Sequence, residues 1–357
     1  MVVIERFVVV SVSDLLQENF EKPCANRTYM HFFFVGGTGF IGNLLITQLL
    51  RGGHEVTILV RHGRKGKHTH VHENVTVLEG DSAASGNWQE RAGKHDVILN
   101  LAGVSIFQRW GGKAKKEIYD SRILSTRNIV EALKNSPKKG LQLFSASGVG
   151  YYGYHEDEIL NESSPPGDGF LARIALDWES EALKAQALGT RVVLCRFGIV
   201  LGRGGGALKR TVPLFKCFLG GRWGKGNQWF SWMHERDLID GFLFLLTHEE
   251  IQGPVNFTAP NPVRNIEMAK ALREAMRKRT ILPSISEFLI RGLLGEFSAV
   301  FLKGQRVLPQ RLLENGYAFK FPKLKDGLNS LLIILLVYCS CLFLFLSLFI
   351  ITVNNTS

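Results

Sequence analysis

The stretch that most constrains this chain is residues 32–42, FFFVGGTGFIG. Four apolar residues, Phe32 to Val35, run into glycines, and then Ile41, Leu44, Leu45 and Leu49 recur at helical spacing. The pattern predicts a strand, a tight turn and a helix. Gly36, Gly37, Gly39 and Gly42 satisfy both G-x-x-G-x-x-G and G-x-G-x-x-G. Such a turn suits a dinucleotide. One glycine adopts a backbone angle that side chains resist, one lets the main chain approach a pyrophosphate, and one allows close helix–strand packing. Free amides at the helix start then face the phosphates. Gly36, Gly37, Thr38, Gly39, Phe40, Ile41 and Gly42 are therefore candidate cofactor contacts, the alternative being a plain glycine-rich turn.

Further strands are predicted at residues 54–60, 75–78, 96–101, 141–146, 191–202 and 254–259. They alternate with helices at 113–134, 171–187, 238–247 and 265–279, and an apolar helix is predicted over 288–302. This alternation implies an α/β fold, a doubly wound parallel sheet of the Rossmann kind. The second strand ends at Val60 and Arg61. An acidic residue there would accept hydrogen bonds from the ribose hydroxyl of NAD, whereas an arginine suits the 2′-phosphate of NADP. The plain alternative is an arginine closing an exposed strand end. Asp81 either reaches the adenine edge or caps a turn. Leu101, Ala102 and Gly103 end the fourth strand with residues small enough to pass beneath a cofactor. Glu117 and Arg122 lie off the apolar stripe of the long helix and either reach the nucleotide or form a surface ion pair.

A hydroxyl cluster, SASGVGYYG over residues 145–153, falls at the carboxyl end of the fifth strand. Open α/β sheets bind ligands at such strand ends. Ser147, Tyr151 and Tyr152 are the candidate catalytic residues, a serine polarising a carbonyl and a tyrosine moving a proton. Farther on, Trp229, Trp232 and His234 either wall a substrate pocket or pack structurally, with Asp237 capping the following helix. Glycines 204–206 are expected to loosen the chain.

Composition narrows the field. The chain has 357 residues, 45% of them apolar, enough for one large domain with additions. Its five cysteines have no metal-ligand or disulfide spacing, which favours a reducing compartment. No metal cluster is expected. A net charge of +11 admits a nucleic-acid surface, but no recognition helix or aromatic RNA-binding motif accompanies it. Residues 1–29 read as an N-terminal extension that makes a poor secretory or mitochondrial leader, although a mitochondrial address stays open. Residues 331–353 carry no charge and are long enough to cross a bilayer. Lysines at 320, 323 and 325 precede them, so the expectation is a cytoplasmic-facing body with a C-terminal transmembrane anchor.

The order of GGTGFIG, Arg61, NLAG (100–103), SASGVGYYG and CRFGIVLGRGGGAL (195–208) resembles the extended short-chain dehydrogenase/reductases. GNQWFSWMHERDL (226–238) and GQRVLPQRLLENGYAF (304–319) resemble, more narrowly, the atypical epimerase-family proteins of short-chain dehydrogenase/reductase family 39. The resemblance covers about residues 30–329. It implies a Rossmann domain over 30–260, a small C-terminal substrate region over 261–329, and NADP contacts at Val60, Arg61, Leu101, Ala102, Glu117, Arg122 and Val200. Related folds pair through two long helices, so a homodimer is a candidate assembly.

One departure bears on chemistry. The larger family works through Tyr-x-x-x-Lys, yet none of the seven tyrosines here has a lysine four residues on. Phe170 to Asp177, FLARIALD, stands where the dyad belongs. Two functions therefore compete: an NADP-dependent oxidoreductase or epimerase of an unknown small molecule, and a non-catalytic NADP(H)-binding sensor or scaffold. Replacing Arg61 with Asp should shift preference from NADP toward NAD; an unchanged ratio of the two dissociation constants would refute the role given to Arg61.

Overall fold

The computed structural model describes residues 29–61, 74–218, 220–278 and 284–332. Seven strands make one sheet: β1 (His31–Val35), β2 (Glu55–Val60), β3 (Val75–Glu79), β4 (Val97–Asn100), β5 (Gln142–Gly148), β6 (Arg191–Phe197) and β7 (Gly253–Phe257). All neighbours are parallel, in the order β7-β6-β5-β4-β1-β2-β3. The order reverses between β1 and β4, which opens a crevice above their carboxyl ends.

Phe32, Phe33 and Phe34 are each fully buried because helices cover both faces of the sheet. Phe32 and Phe34 pack with Leu45 and Leu49 of α1 (Phe40–Arg51). Phe33 and Val35 pack on the other face with Ile129 and Leu133 of α2 (Gly112–Lys134) and Ala182 of α3 (Phe170–Leu183). The period-two alternation of β1 thus sorts its side chains between two cores.

The strand expected over 191–202 is two strands. It breaks at Gly198, where a Cβ would lie 2.7 Å from the Ser231 carbonyl oxygen. Ile199–Gly202 leaves the main sheet and pairs in parallel with Trp232–His234. Glycines 204–206 do not loosen the chain. Gly205 and Gly206 form an antiparallel hairpin with Leu201 and Gly202, and the Phe40 ring packs against it where a Cβ on Gly205 would stand. The helix expected over 288–302 is also divided, by Gly295 at φ +58°.

Residues 304–332 fold back onto the body. Gly304 presses its backbone on Trp229, and the Ser231 hydroxyl donates to the Gln305 carbonyl (2.8 Å) and accepts from the Val307 amide (3.0 Å). Asp237 does not cap the helix α4 (Glu235–Thr247); His234 does. The Asp237 carboxylate instead accepts the amides of Lys320 (2.7 Å) and Phe321 (3.0 Å). The two family-specific motifs are therefore the two sides of one interface.

Leu331 and Leu332, the first residues of the expected membrane span, are buried beside Trp232 and Leu328. Packing in this core competes with a start of the span at residue 331. Residues 333–353, like 1–28, lie outside the described residues. Among the described residues no helix is long and apolar enough to cross a membrane.

Candidate functional site

At the switch point two main chains almost touch. Gly36 has φ +85°, and a Cβ on it would lie 2.6 Å from the Leu101 carbonyl carbon and 2.7 Å from the Ala102 nitrogen. The Leu101 amide donates to the Val35 carbonyl at 2.8 Å, which locks the β1 and β4 tips together. Gly37 is hemmed in by Phe34, Ile46 and Ile58, and a Cβ on Gly42 would be driven into the Gly37 backbone. Gly39 differs. It is exposed, and the nearest atom to a Cβ there is the Gly36 oxygen at 3.4 Å. It caps α1 in an extended conformation, with no side-chain cap and no acidic residue in the first turn. The Thr38 carbonyl accepts from the Asn43 side-chain Nδ2 (3.1 Å), so it is held at the turn. The amides of Phe40, Ile41 and Gly42 thus begin a helix whose positive end carries no acidic counter-charge of its own. This cradle fits a pyrophosphate.

The other expected contacts fall into two groups. Val60, Arg61, Leu101, Ala102 and Gly103 all follow or end strands at the carboxyl edge of the sheet. Val60 is buried, with its carbonyl taken by the Gly80 amide, whereas Arg61 is exposed at the β2 tip. Arg122 lies behind Gly103, where its guanidinium would be 2.9 Å from a Cβ, and donates to the Val104 (3.0 Å) and Ile118 (2.9 Å) carbonyls. Burial pushes its pKa down to about 10, as expected for a cation lacking a carboxylate to offset desolvation. Glu117 is exposed and lines a shallow, open depression with Arg109, Trp110 and Lys113. Asp81 caps a turn, its Oδ1 accepting the Ala83 amide at 3.0 Å. Val200 is buried in the small sheet, its carbonyl bonded to the Ala207 amide.

The hydroxyls at the β5 tip are engaged inward. Ser147 donates to Glu179 Oε1 (2.6 Å), and Glu179 forms a two-pronged ion pair with Arg196 (2.8 and 2.7 Å). Arg196 Nη1 donates to the Tyr152 hydroxyl (2.9 Å), which donates to Asn256 Oδ1 (2.7 Å). Glu179 and Arg196 are nearly inaccessible, and Tyr152 and Asn256 are wholly so. Burial pushes the Tyr152 pKa up to about 12, so this phenol is a poor acid–base group at neutral pH. Tyr151 stands apart: its ring lies under the Arg196 guanidinium at 3.5 Å and is half-buried. Glu179, Arg196 and Asn256 were missed by sequence reasoning. The available signal was an arginine inside the apolar strand VVLCRF, which requires a buried partner.

The tryptophan region is chiefly structural. Trp232 is fully buried and donates to the Asn261 carbonyl (3.0 Å). Trp229 is flanked by Arg264 and Arg306, 4.0 and 4.7 Å from its ring. His234 accepts the Arg236 amide through Nδ1 and meets the Ser330 hydroxyl through Nε2. No group of three or more metal-ligating residues occurs among the described residues.

Comparison with known proteins accords with this geometry. Residues 33–259 match the model of the NAD dependent epimerase/dehydratase family, and residues 285–331 match a domain of unknown function (DUF1731). The chain belongs to the NAD dependent epimerase/dehydratase family. Within it the chain is an atypical member of the SDR39U1 type. It is 39% identical over 299 residues to the chloroplastic epimerase family protein SDR39U1 homolog of Arabidopsis thaliana, covering 83% of this chain and 85% of the relative. It is 36% identical to the epimerase family protein YfhF of Bacillus subtilis, covering 85% and 98%. The structure of human SDR39U1 (isoform 2) with NADPH superposes with a TM-score of 0.73 at 31% identity, covering 85% of this chain and 99% of that one. Residues 285–331, matched by the second model, contain part of the region that packs against residues 226–238.

Two adjacent residues give this family member opposite acid responses. Burial, with Arg203 and Arg236 nearby, pushes the His234 pKa down to about 3, while burial pushes Glu235 up to about 7. The folded state therefore excludes a proton at His234 that the unfolded chain binds below about pH 6.5, so this contribution to stability is lost as pH falls from there toward 3. Glu235 acts oppositely between about pH 7 and 4.5, holding a proton the unfolded chain has released. His234→Gln should flatten the loss of stability below pH 4.5 by about 1–3 kcal/mol relative to neutral pH. Urea midpoints across pH measure this, and parallel pH curves for the two proteins would contradict it.

Proposed function

We propose that the chain binds NADP(H) across the β1/β4 crevice and transfers a hydride between it and a small carbonyl or alcohol compound. The observation that carries this reading is the Gly36–Gly42 cradle, a bare helix start where two main chains meet within van der Waals distance. Arg61 at the β2 tip supports the phosphorylated form of the cofactor, and the half-buried Arg122 guanidinium adds positive charge near Gly103. The NADPH recorded in the human SDR39U1 structure supports the same choice.

In this reading the chain's own residues divide the work. The turn from Gly36 to Gly42 holds the pyrophosphate, with Val60, Arg61, Leu101, Ala102, Gly103, Glu117, Arg122 and Val200 as further contacts and Asp81 shaping the turn beside them. When bound, the nicotinamide supplies the hydride chemistry. Ser147 and Tyr152 act as the scaffold beneath the substrate, and Tyr151 is the phenol that faces it. A non-catalytic sensor is the second reading, favoured by the inward engagement of Ser147 and Tyr152. NADPH bound tightly but consumed by no carbonyl compound would establish it. The membrane tether expected over residues 331–353 and the homodimer are separate proposals that rest on the sequence alone.

The decisive pair of variants is Gly39→Ala and Gly42→Ala. A methyl at Gly39 meets only the Gly36 oxygen at 3.4 Å, so the fold should tolerate it while its phosphate path narrows. NADPH affinity, followed by cofactor fluorescence, should fall about tenfold or more with little change in Tm. Gly42→Ala should lower Tm as well. Unchanged NADPH affinity in Gly39→Ala would contradict the assigned pyrophosphate position.

A further inference from the structure

Three short segments, residues 36–40, 102–107 and 205–210, join at their ends into a ring beside the start of α1. At the first corner Gly36 meets the Leu101–Ala102 peptide. At the second the Phe40 ring packs where a Cβ on Gly205 would stand. At the third the Arg210 guanidinium lies over the Phe107 ring, 4.6 Å from its centroid. The first two corners are built into the backbone, since a Cβ on either glycine would clash. The third joins two side chains only. Both are exposed, Phe107 at 42%, so this is the corner that can open.

Both partners are placed by their own surroundings. The Ala207 amide donates to the Val200 carbonyl (3.0 Å), and the helix Leu208–Lys216 starts at once. Arg210 therefore stands one turn past the hairpin that receives Phe40, its amide donating to the Ala207 carbonyl (3.2 Å). Phe107 lies four residues past Gly103, edge-on to the buried Phe297 ring at 5.8 Å. The helix Leu208–Lys216 contains no acidic residue, and among the described residues no carboxylate pairs with Arg210. Arg173 and Arg291, exposed too, each hold a carboxylate one turn away. A stacked guanidinium uses only its face. Its N–H groups lie in the plane and stay available, in a fork that matches two phosphate oxygens. The start of α1 supplies the equivalent of about half a positive charge. A doubly charged pyrophosphate held there is left short of counter-charge.

We propose that Arg210 is a cofactor-binding residue, closing over the pyrophosphate once it lies in the α1 cradle, with Phe107 holding the guanidinium flat. This rests on the NADP(H) reading above. The cofactor enters while Phe107 and Arg210 are apart, and their contact re-forms over it. The pyrophosphate is common to NAD(H) and NADP(H). Arg210 therefore adds affinity for both without choosing between them, whereas Arg61 chooses. A cation–ring contact between exposed groups is weak enough to part and re-form readily, which suits a clasp.

The test uses the full chain. NADPH and NADH dissociation constants are measured by cofactor fluorescence, and NADPH release by stopped flow. No NADPH binding by the unmodified protein overturns the cofactor reading and this proposal with it. If NADPH binds, Arg210→Ala should weaken both cofactors by the same factor, about tenfold, and Arg210→Lys by about threefold. Tm should not change, because the side chain is exposed and its removal opens no core. Added salt should weaken NADPH binding less steeply in Arg210→Ala than in the unmodified protein. Phe107→Ala should speed NADPH release about fivefold or more, with Phe107→Leu intermediate. Unchanged affinity in Arg210→Ala, a loss confined to NADPH, or unchanged release in Phe107→Ala would overturn the clasp while leaving the cofactor reading intact.

Discussion

The contact between the Gly36 backbone and the Leu101–Ala102 peptide is the constraint on which the rest of the cleft depends. A single Cβ at residue 36 would intrude to 2.6 Å, so β1 and β4 can end this close only if that atom is absent. The closeness sets where the chain turns, and the turn sets where α1 begins. Gly42 then lies against Gly37, and the Phe40 ring is directed onto the Gly202–Gly206 hairpin. That hairpin is joined through Ile199–Gly202 to Trp232–His234, which leads straight into α4 and the Asp237 carboxylate that holds residues 320 and 321. The anion cradle and the C-terminal region are therefore connected by an unbroken run of packed contacts.

A second organising element lies beneath the β5 tip. Arg196 projects from an apolar strand, and a buried guanidinium is tolerable only if its hydrogen bonds are met. Glu179 meets two of them and Tyr152 a third, while Asn256 and Ser147 complete the outer partners. Removing one member would leave a buried charge or hydroxyl without its partner, at a cost of about 3–5 kcal/mol for the ion pair. The demand for satisfaction explains why hydroxyls placed where ligands bind serve the fold. It also leaves Tyr151, stacked on that guanidinium, as the phenol of the three that is not sealed in the core.

The frame of the fold was legible because it is written locally. Apolar runs such as Phe32–Val35 mark strands covered on both faces, helical spacing marks α1 and α2, and the glycine turn marks the switch point. The place of Arg61, just past β2, was legible for the same reason. What escaped the sequence depends on partners far away along the chain. Tyr152 meets Asn256, 104 residues on, and Asp237 meets Phe321, 84 residues on. No local pattern distinguishes a tyrosine poised for chemistry from one bonded to a distant asparagine. The glycines at 204–206 misled in the same way: Gly205 leaves room for the Phe40 ring, and Gly206 for the Val200 carbonyl, both from elsewhere in the sequence. Leu331 and Leu332 read as the start of an apolar span, yet Trp232 and Leu328 provide them with a core.

The central claim is that bare amides at the start of α1 hold the cofactor's pyrophosphate. Amide hydrogen exchange, followed with and without saturating NADPH, tests it most directly. The account predicts that the amides of Phe40, Ile41 and Gly42 slow about tenfold or more on binding while those at the opposite end of α1 change little. Saturating NADPH that leaves exchange at Phe40 to Gly42 unaltered would contradict it.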